Sequence, residues 1–79
     1  MLQKIKDDKT VYVARGKVYQ DMGNHKLAID DFNEAIRHCP KLSEGFYRRG
    51  QSKISSQMFH DAERDFKRAL ELENQLMDE

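Results

Sequence analysis

The chain has one cysteine, one proline, four glycines and no tryptophan in 79 residues, and each scarcity excludes something. A lone thiol, Cys39, cannot close an internal disulfide, so the sequence points to a reducing, intracellular and cytoplasmic setting. With Pro40 as the sole helix breaker of its kind, and with no sustained strand-like alternation, the chain reads as all-α. No apolar run approaches the roughly 18 residues needed to cross a bilayer. Met1-Leu2-Gln3-Lys4 lacks the apolar segment of a signal peptide. Charge of one sign is also missing, since 14 basic residues stand against 14 acidic ones. A nucleic-acid module would carry a basic excess or stripe. A neutral chain likewise has no electrostatic reason to sit on an anionic membrane.

Chemistry-bearing constellations are equally sparse. His25, His38, His60 and Cys39 fit no compact metal-ligand spacing, and the adjacent side chains of His38 and Cys39 diverge. No nucleophile–base–acid set can be assembled, and no glycine loop is present to cradle a phosphate. Asp7-Asp8 and Asp30-Asp31 read as solvated faces or helix-start charges. Met22, Met58 and Met77 read as apolar packing. The expectation is a non-enzyme with no cofactor and no metal.

What the chain does have is a period. A shift of 34 residues superimposes Arg15-Gly16 on Arg49-Gly50, Ala28 on Ala62, Asp31-Phe32 on Asp65-Phe66, Ala35 on Ala69 and Leu42 on Leu76. A period of that size marks stacked supersecondary units, each too small to bury its own apolar face. Tyr12, Gly16 and Tyr19 share one face of a helix from Lys9 to about Met22, which Gly23-Asn24 ends. A second helix is expected from His25 to His38, with Leu27, Ala28, Phe32, Ala35 and Ile36 inward, and Pro40 beyond its end. Ser43, as cap, with Glu44 behind it suits the start of a third helix to about Ser56, marked by Phe46, Gly50 and Ile54. After a loop at Gln57-Met58, Phe59, Ala62, Phe66, Ala69, Leu70 and Leu72 form the stripe of a last helix. Asn74 stands there in place of a second proline, so that helix is expected to reach Leu76 or beyond.

This pattern resembles the tetratricopeptide repeat, a 34-residue helical hairpin. The first unit supplies Tyr12, Gly16, Tyr19, Ala28, Phe32, Ala35 and Pro40 at the offsets of that family, and the second supplies Phe46, Gly50, Ala62, Phe66 and Ala69. The small residues let paired helices approach, and the aromatic rings fill the space beside them. Lys53, where the family prefers an aromatic, and Asn74 depart from the pattern. The resemblance implies a right-handed superhelical solenoid of two hairpins. Residues 1–8 are then a lead-in or a remnant of a preceding helix, 9–42 and 43–76 the two repeats, and 77–79 a tail or a continuation of the last helix.

The resemblance also implies a use. In such arrays the first helices of the hairpins line a concave groove that grips an extended peptide or a partner helix. Carried onto this sequence, the groove positions include Thr10, Val13, Ala14, Lys17, Gln20 and Asp21, then Glu44, Tyr47, Arg48, Gln51, Ile54 and Ser55. The strongest candidates for binding are Val13, Lys17, Gln20, Tyr47, Arg48, Gln51 and Ile54. Phe46-Tyr47-Arg48-Arg49-Gly50 is similar to a repeat of the co-chaperones that clamp acidic chaperone tails. Glu44 reverses a required positive charge, and Val13 and Lys17 replace other clamp residues, so a chaperone tail is not the expected partner. Val11, Val18 and Met22 sit where a preceding repeat would pack, while Leu70, Leu76 and Met77 lack a capping helix. The chain therefore reads as a piece of a longer array, as a unit that self-associates through these ends into a dimer, or as a two-repeat monomer. Two functions follow: a protein-binding scaffold using the groove, or a structural segment stacking through its ends.

Overall fold

The computed structural model describes residues 8–77, with side chains through residue 75. Residues 1–7 of the expected lead-in, residues 78–79 of the expected tail and the side chains of Leu76 and Met77 lie outside the described residues. Four α-helices follow one another: α1 (Lys9–Asp21), α2 (His25–His38), α3 (Ser43–Ser55) and α4 (Phe59–Met77). No strand occurs among the described residues. α1 packs on α2 and α3 on α4, and the two hairpins join mainly through α2 and α3.

The helix ends have local causes. Asp8 caps α1, its Oδ1 accepting from the amides of Thr10 (3.0 Å) and Val11 (3.2 Å). At the other end Gly23 takes φ +80°. Its amide donates to the Gln20 carbonyl and that of Asn24 to the Tyr19 carbonyl, the paired bonds of a left-handed helix stop. Asn24 then caps α2 through Leu27 N–H. Thirty-four residues on, Gln57 does the work of Gly23 at φ +64°, with the same bonds from Gln57 to Ile54 and from Met58 to Lys53. A side chain strains that backbone by roughly 1–2 kcal/mol, so Gln57→Gly should raise the urea midpoint, stabilising the fold by about 0.5–1 kcal/mol. Ser43 departs from expectation. Leu42 precedes α3 with no side-chain cap, and Ser43 Oγ instead donates to Glu73 Oε2 at 2.5 Å, tying α3 to α4.

The core runs through the alanines. Ala28, Phe32, Ala35 and Ala62 are fully buried, and Val13, Ala69 and Leu72 nearly so. A Cβ built on Gly16 would lie 2.6 Å from Phe32 Cε1, and one on Gly50 would lie 2.8 Å from Phe66 Cε1. Both contacts are closer than carbon atoms tolerate, so each first helix meets the ring of its second helix edge-on to bare backbone. Leu27 and Phe59, expected inward, are exposed. Each lies in the first turn of its helix.

Two buried acids correct the reading of the charges. Asp31 is not a solvated residue. It is buried and gripped bidentately by Arg15, at 2.9 and 2.8 Å. Asp65, its counterpart, accepts the same fork from Arg49 at 2.8 and 2.7 Å. Lys53 Nζ adds a second cation at 3.1 Å. The lysine that breaks the aromatic pattern thus serves the second hairpin as an ion-pair partner.

Candidate functional site

A surface for a partner requires side chains that the fold does not consume. Along α1 and α3, Lys9, Thr10, Val13, Ala14 and Lys17 face Leu42 and Glu44 across a hollow of about 260 Å³. A second hollow of about 250 Å³ lies on the other side of Glu44, between α3 and α4, where Tyr47 and Arg48 meet Ala69 and Glu73. Helical spacing explains the grouping, since Glu44, Tyr47, Arg48 and Gln51 recur at three and four residues and so share a face of α3.

Glu44 controls the charge of this surface. Its Oε2 lies 3.7 Å from Lys17 Nζ and 3.6 Å from Arg48 Nε. The carboxylate therefore bridges the two helices and offsets both cations. The ion pairs are long and partly exposed, so each contributes little to stability. Arg48 Nε is buried with no hydrogen-bond acceptor in reach among the described residues. Beside it, Tyr47 is half exposed, its ring 5.8 Å from that of Phe66.

The other expected groove residues divide. Val13 is buried beneath the start of α3 and contributes little more than its edge to the hollow. Gln20 is drawn into the fold: its Nε2 donates to the Arg48 carbonyl at 2.8 Å and to Ser52 Oγ at 2.9 Å, bolting α1 to α3. It does not present a free amide. Ile54 stands one repeat beyond Gln20, and among the described residues no helix covers it as α3 covers Gln20. It borders an apolar groove of about 530 Å³ with Phe59, Phe66 and Leu70, whose lining includes neither Tyr47 nor Arg48.

Sequence reading missed two members of these surfaces. Phe59, expected inward, walls the apolar groove. His25 lies 3.2 Å from Ser52 Oγ at the joint between hairpins. The signal for Phe59 was available, because the residue one period earlier is the polar His25. Among the described residues no group of three or more His, Cys, Asp or Glu side chains could hold a metal ion, and no helix is long and apolar enough to cross a membrane. At the outer face of α2, the Arg37 guanidinium hydrogen-bonded to Glu34 holds that carboxyl below its usual range.

In comparison with known protein families, residues 10–42 match the model of the tetratricopeptide repeat. No curated protein and no solved structure matches the chain.

Proposed function

Because residues 10–42 match the tetratricopeptide-repeat model and the four helices fit two such repeats, we propose that the chain is a non-catalytic scaffold that holds an extended peptide or partner helix against the α1–α3 face. The repeat family binds protein partners generally. The residues proposed to make the contact here are Lys17, Glu44, Tyr47, Arg48 and Gln51. One observation carries the reading: the half-exposed Tyr47 ring beside two cations, Lys17 and Arg48, both paired at long range with a single loosely held Glu44. Tyrosine and arginine together are the usual anchors of protein interfaces. An incoming carboxylate or backbone carbonyl can displace Glu44 and take the Arg48 fork.

The test is selection of random displayed peptides against the chain, followed by titration of those recovered. Tyr47→Ala and Arg48→Ala should each weaken binding about tenfold or more, or ~1.4 kcal/mol. Glu44→Gln frees both cations, so peptides with an acidic residue should bind it several-fold more tightly (roughly 1 kcal/mol). Selected peptides indifferent to all three substitutions would end the proposal.

A second reading, assembly through the end faces, is favoured by the exposure of Val18 (54%) and Met22 (69%) on α1 and of Phe59 (59%) and Leu70 (64%) on α4. Large apolar side chains grouped at two opposite faces mark association surfaces.

A further inference from the structure

The geometry points to head-to-tail assembly of copies of this chain, with α1 of one copy seated in the α3–α4 groove of the next and Val18 lodged between Ile54 and Phe59. The inference rests on the end-face reading above and names its partner and register.

The template is the joint inside the molecule. α3 lies in the groove of the first hairpin, with Ser52 fully buried against Gln20 and His25. A shift by one repeat carries Gln20 to Ile54, His25 to Phe59, Phe32 to Phe66 and Ile36 to Leu70, residues that line the open groove of the second hairpin. The groove that α3 fills in the first hairpin has no equivalent occupant in the second among the described residues. The same shift taken backwards carries the seated face of α3 onto α1, where Gly45 becomes Val11, Ser52 becomes Val18 and Ser56 becomes Met22.

Polarity changes on both sides together. Inside the molecule a serine hydroxyl meets a glutamine amide and an imidazole. At the open ends a valine would meet an isoleucine and a phenylalanine. Either surface alone would be an ordinary exposed patch, but the paired substitution converts a polar joint into an apolar one at matching positions. Elsewhere the register brings compatible groups together. The Lys17–Glu44 pair becomes Gln51 opposite Thr10, which can hydrogen-bond. Gly45 is tight against Ile36, where a Cβ would stand 3.0 Å from Cγ1. Val11 at that place meets Leu70, whose exposure leaves it room to turn. One position opposes docking: the Arg49–Asn33 hydrogen bond becomes Arg15 facing Lys67, a like-charge contact. Because the contact joins unlike faces and nothing closes the ring, the product is an open chain of copies.

Light scattering behind size exclusion over a tenfold concentration range tests this. The wild-type mass should climb past that of a dimer of the 9.3 kDa chain without a plateau. Val18→Glu and Phe59→Glu, both at exposed positions and checked for unchanged helicity, should each stay monomeric. An equimolar mixture of the two should form a heterodimer and nothing larger, because it retains one intact knob and one intact groove. Lys67→Glu should raise association several-fold by removing the like-charge contact. A wild type that is monomeric throughout overturns this inference and the end-face reading together. A wild type that assembles, with only one of the two substitutions disrupting it or with a mixture that stays monomeric, overturns head-to-tail docking and leaves assembly through one end.

Discussion

Phe32→Ala should remove a large share of the chain's stability. Phe32 is the largest side chain with no exposure among the described residues, and its ring stands in the notch left by Gly16. Its removal forfeits the transfer energy of the ring and leaves a cavity between α1 and α2, at a cost of about 3–5 kcal/mol. A domain of 79 residues is held by about 4–12 kcal/mol in all, so the loss matches the lower end of that range. Urea titration followed by helical circular dichroism measures it. Asp30→Ala, at an exposed position outside both proposed surfaces, serves as the control and should shift stability by less than about 0.5 kcal/mol. Equal losses from the two would mean that the ring–glycine contact is not the centre of the first hairpin.

The second large effect belongs to Asp65. Its carboxylate meets two cations whose side chains are themselves mostly shielded, Arg49 at 18% exposure and Lys53 at 13%. Asp65→Ala leaves both without that counter-charge, Arg49 keeping only its hydrogen bond to Asn33, and the expected cost is about 3–5 kcal/mol. Asp31→Ala breaks the equivalent fork in the first hairpin, but Arg15 is 54% exposed and can turn its guanidinium into water. Its cost should be smaller, about 1–2 kcal/mol. The contrast is the informative quantity, since the two sites share the same bidentate geometry and differ in shielding, in Lys53 and in the Arg49–Asn33 hydrogen bond. If the two substitutions cost the same, solvent access to the cation does not set the energy of these pairs.

Those two acids also mark where sequence reading stopped. The helices and their order follow from apolar spacing, from Gly23 and from Pro40, because each acts on the backbone within a few residues of itself. Periodicity likewise put Arg15, Asp31, Arg49 and Asp65 in register. It did not say that arginine and aspartate face one another across a helix pair, and Asp31 looked like surface beside Asp30. Gln57 gave no sign of its left-handed backbone, since only comparison with Gly23 one repeat earlier reveals the demand. The groove was legible as a face of α1 and α3. Which residues on that face remain free was not, because a helix fixes a direction and the neighbouring helix fixes exposure. Gln20 and Ile54 occupy the same position in successive repeats. One is consumed by α3 and the other borders an open groove.

The central claim is that a partner is held on the α1–α3 face. Amide chemical-shift mapping tests it most directly, with isotope-labelled chain titrated with a peptide recovered by display. The account predicts that the largest perturbations fall on Lys17, Glu44, Tyr47, Arg48 and Gln51, with Phe59 and Leu70 unmoved. Perturbations centred on Ile54, Phe59 and Leu70, with Tyr47 and Arg48 silent, would contradict it and assign binding to the open end of the array.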